Sequence, residues 1–109
     1  MSEDRVTRLK AMEREELERI EGYERHVRRA DGALDRDTEE QAIELENDEV
    51  VERLLQTSRE RVEQIRHALA RIDQGQGGTC ESCGGPIAAD RLEALPTATL
   101  CSDCASEQD

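Results

Sequence analysis

The sequence predicts a mainly α fold, a long antiparallel helical hairpin of coiled-coil type followed by a small four-cysteine module. Three observations predict it. Apolar residues recur at steps of three and four over two long stretches, residues 3–30 and 38–74. A short acidic turn, Asp31-Gly32-Ala33-Leu34-Asp35-Arg36-Asp37, separates them. All four cysteines fall after this region as two Cys-x-x-Cys pairs.

Composition excludes a large globular core. Ten Leu, five Ile, five Val and no Phe make up less than a fifth of the 109 residues, Tyr23 is the one aromatic, and 39% of the chain is charged. Such a chain must draw its order from long helices, from a metal ion or from association. The net charge of −12 argues against direct binding to DNA or RNA, which needs a basic face for the phosphates. No stretch has the apolar length of a membrane span. The start, Met1-Ser2-Glu3-Asp4-Arg5, lacks the basic-then-apolar plan of a signal peptide, so a cytoplasmic location is expected.

The first helix is expected from about Glu3 to Ala30. Val6, Leu9, Leu17, Ile20, Tyr23, Val27 and Ala30 form its apolar stripe. Gly22 costs about 1 kcal/mol relative to Ala inside a helix, which marks a bend or a close approach of another backbone. The turn that follows is rich in glycine and aspartate, residues that satisfy backbone amides locally. Thr38 with Gln41 three residues on fits a capping box, and Glu39 and Glu40 suit the positive end of a helix dipole.

The second helix has the clearest periodicity. Val51, Leu55, Ser58, Val62, Ile65, Leu69 and Ile72 alternate steps of four and three, as a coiled-coil seam does, and Val50 and Leu54 are expected to widen the stripe. The pattern lapses at Asn47 and Asp48, and Gly75, Gly77 and Gly78 supply the stop. Neither helix can bury its stripe alone, so the two are expected to pair antiparallel as a rod several tens of ångströms long. The organisation read from the sequence is a hairpin over residues 1–74 with an acidic tip at about 31–40, a glycine-rich linker at 75–79 and a finger at 80–109. Charge is uneven along it: residues 31–52 hold ten acids against Arg36 alone, whereas residues 1–30 hold eight acids and eight bases. Capping alone does not require so many acids at one end, and an acidic tip suits a basic or metal-bearing partner.

Cys80-Glu81-Ser82-Cys83 and Cys101-Ser102-Asp103-Cys104 are separated by seventeen residues, the spacing of a four-cysteine zinc site. A two-residue gap lets both thiolates of one turn reach a single tetrahedral ion, and Gly84 permits the positive φ that aims amides at the sulfurs. Iron in a similar thiolate site is the chemical competitor. Redox or disulfide pairs fit less well, because the flanks lack the strand-and-helix setting of a thiol oxidoreductase. Four thiolates leave no position for water, so one Zn2+ with a structural role is expected, contributing folding energy to a segment whose large apolar residues are Ile87, Leu92, Leu95 and Leu100. His26 and His67, each alone in an Arg-rich helix, read as surface residues. No nucleophile motif, phosphate loop or dinucleotide turn is present in the sequence, and no enzymatic activity is expected.

The stretch Cys80-Glu81-Ser82-Cys83-Gly84, Pro86-Ile87, Arg91-Leu92-Glu93-Ala94, Pro96-Thr97-Ala98 and Leu100-Cys101-Ser102-Asp103-Cys104 closely resembles the zinc finger of the DksA/TraR family. Glu44-Leu45-Glu46-Asn47-Asp48-Glu49-Val50 looks like the start of the second coiled-coil helix in the family's shorter members. The resemblance implies a bacterial transcription regulator that binds RNA polymerase rather than DNA. Its coiled coil would enter the secondary channel and bring acidic tip residues near the catalytic centre. By position, Asp35 within Leu34-Asp35-Arg36 matches the family's tip aspartate, making Asp35, Arg36 and Asp37 the candidate tip residues. Asp37 departs from the pattern, since the best-known members have a small residue there. Some members respond to guanosine tetraphosphate through basic residues, but the finger here has Arg91 alone against six acids, and no nucleotide binding is expected. Two other readings stand beside this one. The first is a zinc-stapled coiled-coil adaptor whose stripe recruits partner helices. The second is a zinc reservoir or thiol sensor, ranked lower because nothing singles out an exposed, electropositive cysteine.

Overall fold

A computed structural model describes residues 2–31 and 38–108. Four helices follow in order: α1 (Ser2–Asp31), α2 (Thr38–Asp73), α3 (Ala89–Ala94) and α4 (Ser102–Gln108). Among the described residues no strand occurs, and one isolated antiparallel bridge joins Thr79 to Pro86. The chain is mainly α, as the periodicity predicts. The expected acidic turn, with Asp35, Arg36 and Asp37, lies outside the described residues. No described helix is long and apolar enough to cross a membrane.

Local chemistry explains the helices and their ends. Both long helices lack proline, α1 carries Glu3 and Asp4 in its first turn, and α2 carries Arg71 in its last, each complementing the helix dipole. Gly75 stops α2 at φ 78°. Its N–H bonds Ile72 O at 3.0 Å while the Gln76 N–H bonds Arg71 O at 2.8 Å. This pair of bonds satisfies the last carbonyls in a Schellman motif.

Packing divides the chain into two compact units, one of Met1–Glu13 with Glu63–Asp109 and one of Arg14–Val62. In the first unit, Leu9 of α1 is fully buried with Ile65 and Ala68 of α2, and Met12, Leu69 and Ile72 pack around them. Arg66 Nε donates to Glu13 Oε2 at 2.8 Å across the two helices. In the second unit the two helices run antiparallel: Glu16 Oε1 faces Arg61 Nη1 at 3.4 Å, Glu24 Oε1 faces Arg59 Nη2 at 3.5 Å, and His26 Nε2 faces Asp48 Oδ1 at 3.1 Å. Leu55, Ser58 and Val62 are buried there.

The α2 seam follows the expected positions with one adjustment. Val51, Leu55, Ser58, Val62 and Ile65 are buried or half-buried, then the fully buried Ala68 takes the next place and Leu69 is half-buried beside it. Three other expectations are corrected. Leu17 is 40% exposed, and the buried position on α1 is Glu16. Leu9, Met12, Glu16, Ile20, Tyr23 and Val27 follow one another at steps of three and four, which leaves Leu17 about 100° off the seam. Val50 and Leu54 do not widen the α2 stripe. They are 51% and 44% exposed, because each precedes a seam residue by one position. Among the described residues nothing lies within 4 Å of a Cβ built on Gly22, so close backbone approach by them does not account for that glycine.

Candidate metal centre

The finger is built from backbone turns before it is built from side chains. Gly78–Cys80 and Gly85–Ile87 face each other as a minimal hairpin, with Cys80 N–H on Gly85 O at 2.8 Å and Ile87 N–H on Gly78 O at 2.9 Å. Gly84, at φ 77°, turns the chain between them. This conformation is open to glycine and strained for most side chains. The Gly85 N–H consequently approaches Cys83 Sγ at 3.4 Å. The second pair sits at the start of α4. Ala105 N–H bonds Cys101 O at 2.9 Å and Cys104 N–H approaches Cys101 Sγ at 3.5 Å, so the Cys101 side chain occupies the N-cap role that an oxygen usually fills. Glu81 N–H on Thr99 O at 2.9 Å ties the two halves together.

These turns bring all four sulfurs of Cys80, Cys83, Cys101 and Cys104 within 4.8 Å of one another. Cys83 Sγ and Cys101 Sγ are 3.9 Å apart. A tetrahedral ion with metal–sulfur bonds of about 2.3 Å requires sulfur–sulfur edges of about 3.8 Å. The spacing therefore fits one ion held by four thiolates and is far from disulfide length. The thiols also differ electrostatically. Cys80 is 1% exposed, yet backbone amides of Cys101 and Cys83 hold its pKa down to about 6 against the effect of burial. Hydrogen bonding with the Cys101 and Cys80 sulfurs pushes Cys104 up to about 12. With one easily formed thiolate and one tightly held proton, metal uptake by this cluster is coupled to proton release.

Arginine bonds to carbonyl oxygens surround the site, and the sequence reading missed them. Arg5 donates to Pro96 O at 2.9 Å, to Ala98 O at 3.0 Å and to Gly77 O. Arg8 donates to Glu93 O, Arg71 to Thr79 O and Arg91 to Leu100 O, each at 2.9 Å. The glycine-rich segment at 75–79 is thus bonded to both long helices. His67, expected to be a surface residue, is half-exposed and meets Glu81 Oε2 at 2.7 Å. Hydrogen bonds from Thr99 and His67 hold the Glu81 carboxyl below the ordinary carboxylate range. Neither histidine joins the cysteine cluster. The other sequence-predicted site, Asp35, Arg36 and Asp37, lies outside the described residues.

Residues 75–109 match the family model described as the prokaryotic dksA/traR C4-type zinc finger. The RNA polymerase-binding transcription factor DksA of Escherichia coli is 40% identical over 73 residues, covering 65% of this chain and 44% of that protein. The protein of the same name from Haemophilus influenzae is 40% identical over 72 residues, covering 64% and 45%. The chain therefore spans less than half the length of these curated relatives. The solved structure of transcription factor DksA2 from Pseudomonas aeruginosa is similar over 98% of this chain and 81% of its own, with TM-score 0.85 and 30% identity. The chain belongs to the DksA/TraR family. As a DksA/TraR member it carries a C4-type zinc finger, and its four clustered cysteines are positioned for one zinc ion. The likeness to DksA2 extends through the two long helices as well as the finger.

Proposed function

We propose that this chain binds bacterial RNA polymerase and regulates transcription without catalysing a reaction of its own. Its helical pair would enter the secondary channel and carry the acidic tip, Asp35 and Asp37 with Arg36, toward the catalytic centre. The observation that carries the reading is the likeness to DksA2 over nearly the whole chain at 30% identity, alongside relatives named for polymerase binding. The charge pattern supports it, since residues 31–52 hold ten acids and one base. Such a tip is suited to a basic or magnesium-bearing surface and ill suited to a nucleic acid backbone. In this reading residues 1–74 present the tip, residues 80–109 form the finger, and the bound zinc is structural. Four thiolates saturate the ion and leave no position for water.

Competition binding of the zinc-loaded protein to core RNA polymerase tests this, run beside the Asp35→Ala/Asp37→Ala double variant in a multi-round transcription assay. The expected result is saturable binding that competes with another channel-entering factor, and a transcriptional effect that the double variant loses while still binding. Absence of saturable binding by correctly metallated protein would overturn the proposal and leave the adaptor reading. For the zinc, a chelator is expected to remove the ion and abolish the amide protection of residues 78–104. Retained protection in metal-free protein would exclude a structural role for the ion.

A further inference from the structure

The Arg5 guanidinium has an unusual set of partners. All three of its nitrogens donate to main-chain carbonyls, of Pro96, Gly77 and Ala98, and among the described residues no carboxylate pairs with it. Burial lowers its pKa, so these carbonyls replace the water that the charge has lost. The three acceptors come from two places in the sequence, the turn after α2 and the stretch between α3 and Cys101. They converge only when the two halves of the finger close, because Glu81 N–H on Thr99 O and Ile87 N–H on Gly78 O fix those same segments. Gly77 is shaped to the contact. A Cβ there would lie 2.7 Å from Ile72 Cγ1 and 3.3 Å from Arg5 Nη1, so a side chain would push on the helix end and on the guanidinium together.

From this geometry we infer that Arg5 is the positioning residue that fastens the start of α1 to the closed finger. Metal binding by the four cysteines and ordering of the first turns of α1 then stabilise each other. Among the described residues the other helix-to-finger arginines, Arg8 on Glu93 O and Arg71 on Thr79 O, make one such bond each and do not bridge the two finger segments. A planar fork that serves three acceptors at once cannot be reproduced by an ammonium, so the chemistry is specific to arginine. Linkage makes the coupling reciprocal: whatever factor the metal adds to docking of α1, docking of α1 adds to metal affinity. The inference concerns only the unit formed by Met1–Glu13 and Glu63–Asp109 and stands whether or not the chain acts on polymerase.

Full-length wild type, Arg5→Ala, Arg5→Lys and the exposed control Arg25→Ala test it through three readouts. These are zinc affinity by competition with a chromophoric chelator, the absorption spectrum of the cobalt-substituted site, and amide hydrogen exchange along α1 in the metal-loaded protein. Arg5→Ala is expected to keep the tetrathiolate cobalt spectrum and to bind zinc roughly tenfold more weakly. Amides of Thr7–Met12 in this variant should exchange as fast as in metal-free wild type. Arg5→Lys should resemble Arg5→Ala, and Arg25→Ala should match wild type. Wild-type affinity and protection in Arg5→Ala, or full rescue by Arg5→Lys, would overturn the inference. Loss of the cobalt spectrum in Arg5→Ala would also overturn it, by making Arg5 part of the finger's own fold rather than its link to α1.

Discussion

Glu16 interrupts an otherwise apolar seam. It is 6% exposed. Its Oε1 accepts from Arg19 at 2.7 Å and lies 3.4 Å from Arg61, while among the described residues its buried Oε2 has no hydrogen-bond partner. An acid half satisfied in this way is weak evidence for stability, because a hydrophobic side chain of similar volume loses nothing to desolvation. Glu16→Leu is expected to leave the protein equally stable or to stabilise it by about 1 kcal/mol, read as an unchanged or raised urea midpoint of the zinc-loaded protein. Arg61, whose side chain is 57% exposed, returns to solvent in that variant at little cost. The cysteines carry the residue-scale pH dependence. With Cys80 down near 6 and Cys104 up near 12, zinc uptake at neutral pH must expel the Cys104 proton, whereas the Cys80 thiol is already largely ionised. Protons compete with the metal, so affinity falls as pH falls, and the slope should steepen as pH drops through about 6 and Cys80 must be deprotonated too. Zinc titration calorimetry at pH 5.5 and pH 7, in buffers of different ionisation enthalpy, is expected to show more protons released per zinc at the lower pH.

Within α1, residues that look alike in sequence carry very different loads. Leu9 is fully buried against Ile65 and Ala68, while Leu17 is 40% exposed. Leu9→Ala is expected to cost about 2–5 kcal/mol, as buried leucines do, and Leu17→Ala no more than about 0.5 kcal/mol, both read from urea denaturation. Gly22→Ala should stabilise the protein by up to about 1 kcal/mol, since among the described residues a Cβ there meets nothing within 4 Å and alanine is the better helix former. The existence and limits of both long helices were legible because periodicity, first-turn acids and the Gly75 stop are local signals. The phase of the α1 seam was not. Leu17 attracts the eye as an apolar residue, but the 3.6-residue period carries the buried line through Met12 and Glu16. Hydropathy alone places polar residues outside, so Glu16 and the buried Ser58 are assigned correctly only by following the helical phase from Leu9 or Leu55. Arg5 obeys the same rule, standing four residues before Leu9 on that line. This spacing was the one sequence signal that could have exposed its clasp.

At the scale of the whole molecule, the two candidate sites differ in how far sequence could define them. The cysteine pairs were legible because a Cys-x-x-Cys turn fixes two sulfurs with almost no intervening chain. The carbonyl cradle was not, since Arg5 meets Gly77, Pro96 and Ala98 across 72 to 93 residues of sequence and main-chain acceptors leave no mark on the residue types. The proposed acidic tip is legible only as charge, but charge acts at long range and so makes its own prediction. Of the net −12, residues 31–52 contribute ten acids against Arg36. If these acids enter a basic, metal-bearing channel, the attraction operates before contact and its effect falls on the association rate. Raising salt from ~0.05 M to ~0.3 M shortens the screening length from about 14 Å to about 6 Å. The association rate constant with core polymerase is expected to fall by about tenfold over that range, with a much smaller change in dissociation. Removing Asp35 and Asp37 together takes away two of these ten acids, so the double alanine variant should associate more slowly at low salt and show a shallower salt dependence. Stopped-flow measurements on fluorescently labelled protein separate the two rate constants. A salt effect confined to dissociation, or one unchanged in the double variant, would show that the tip plays no part in reaching the enzyme and that its acids act only after docking.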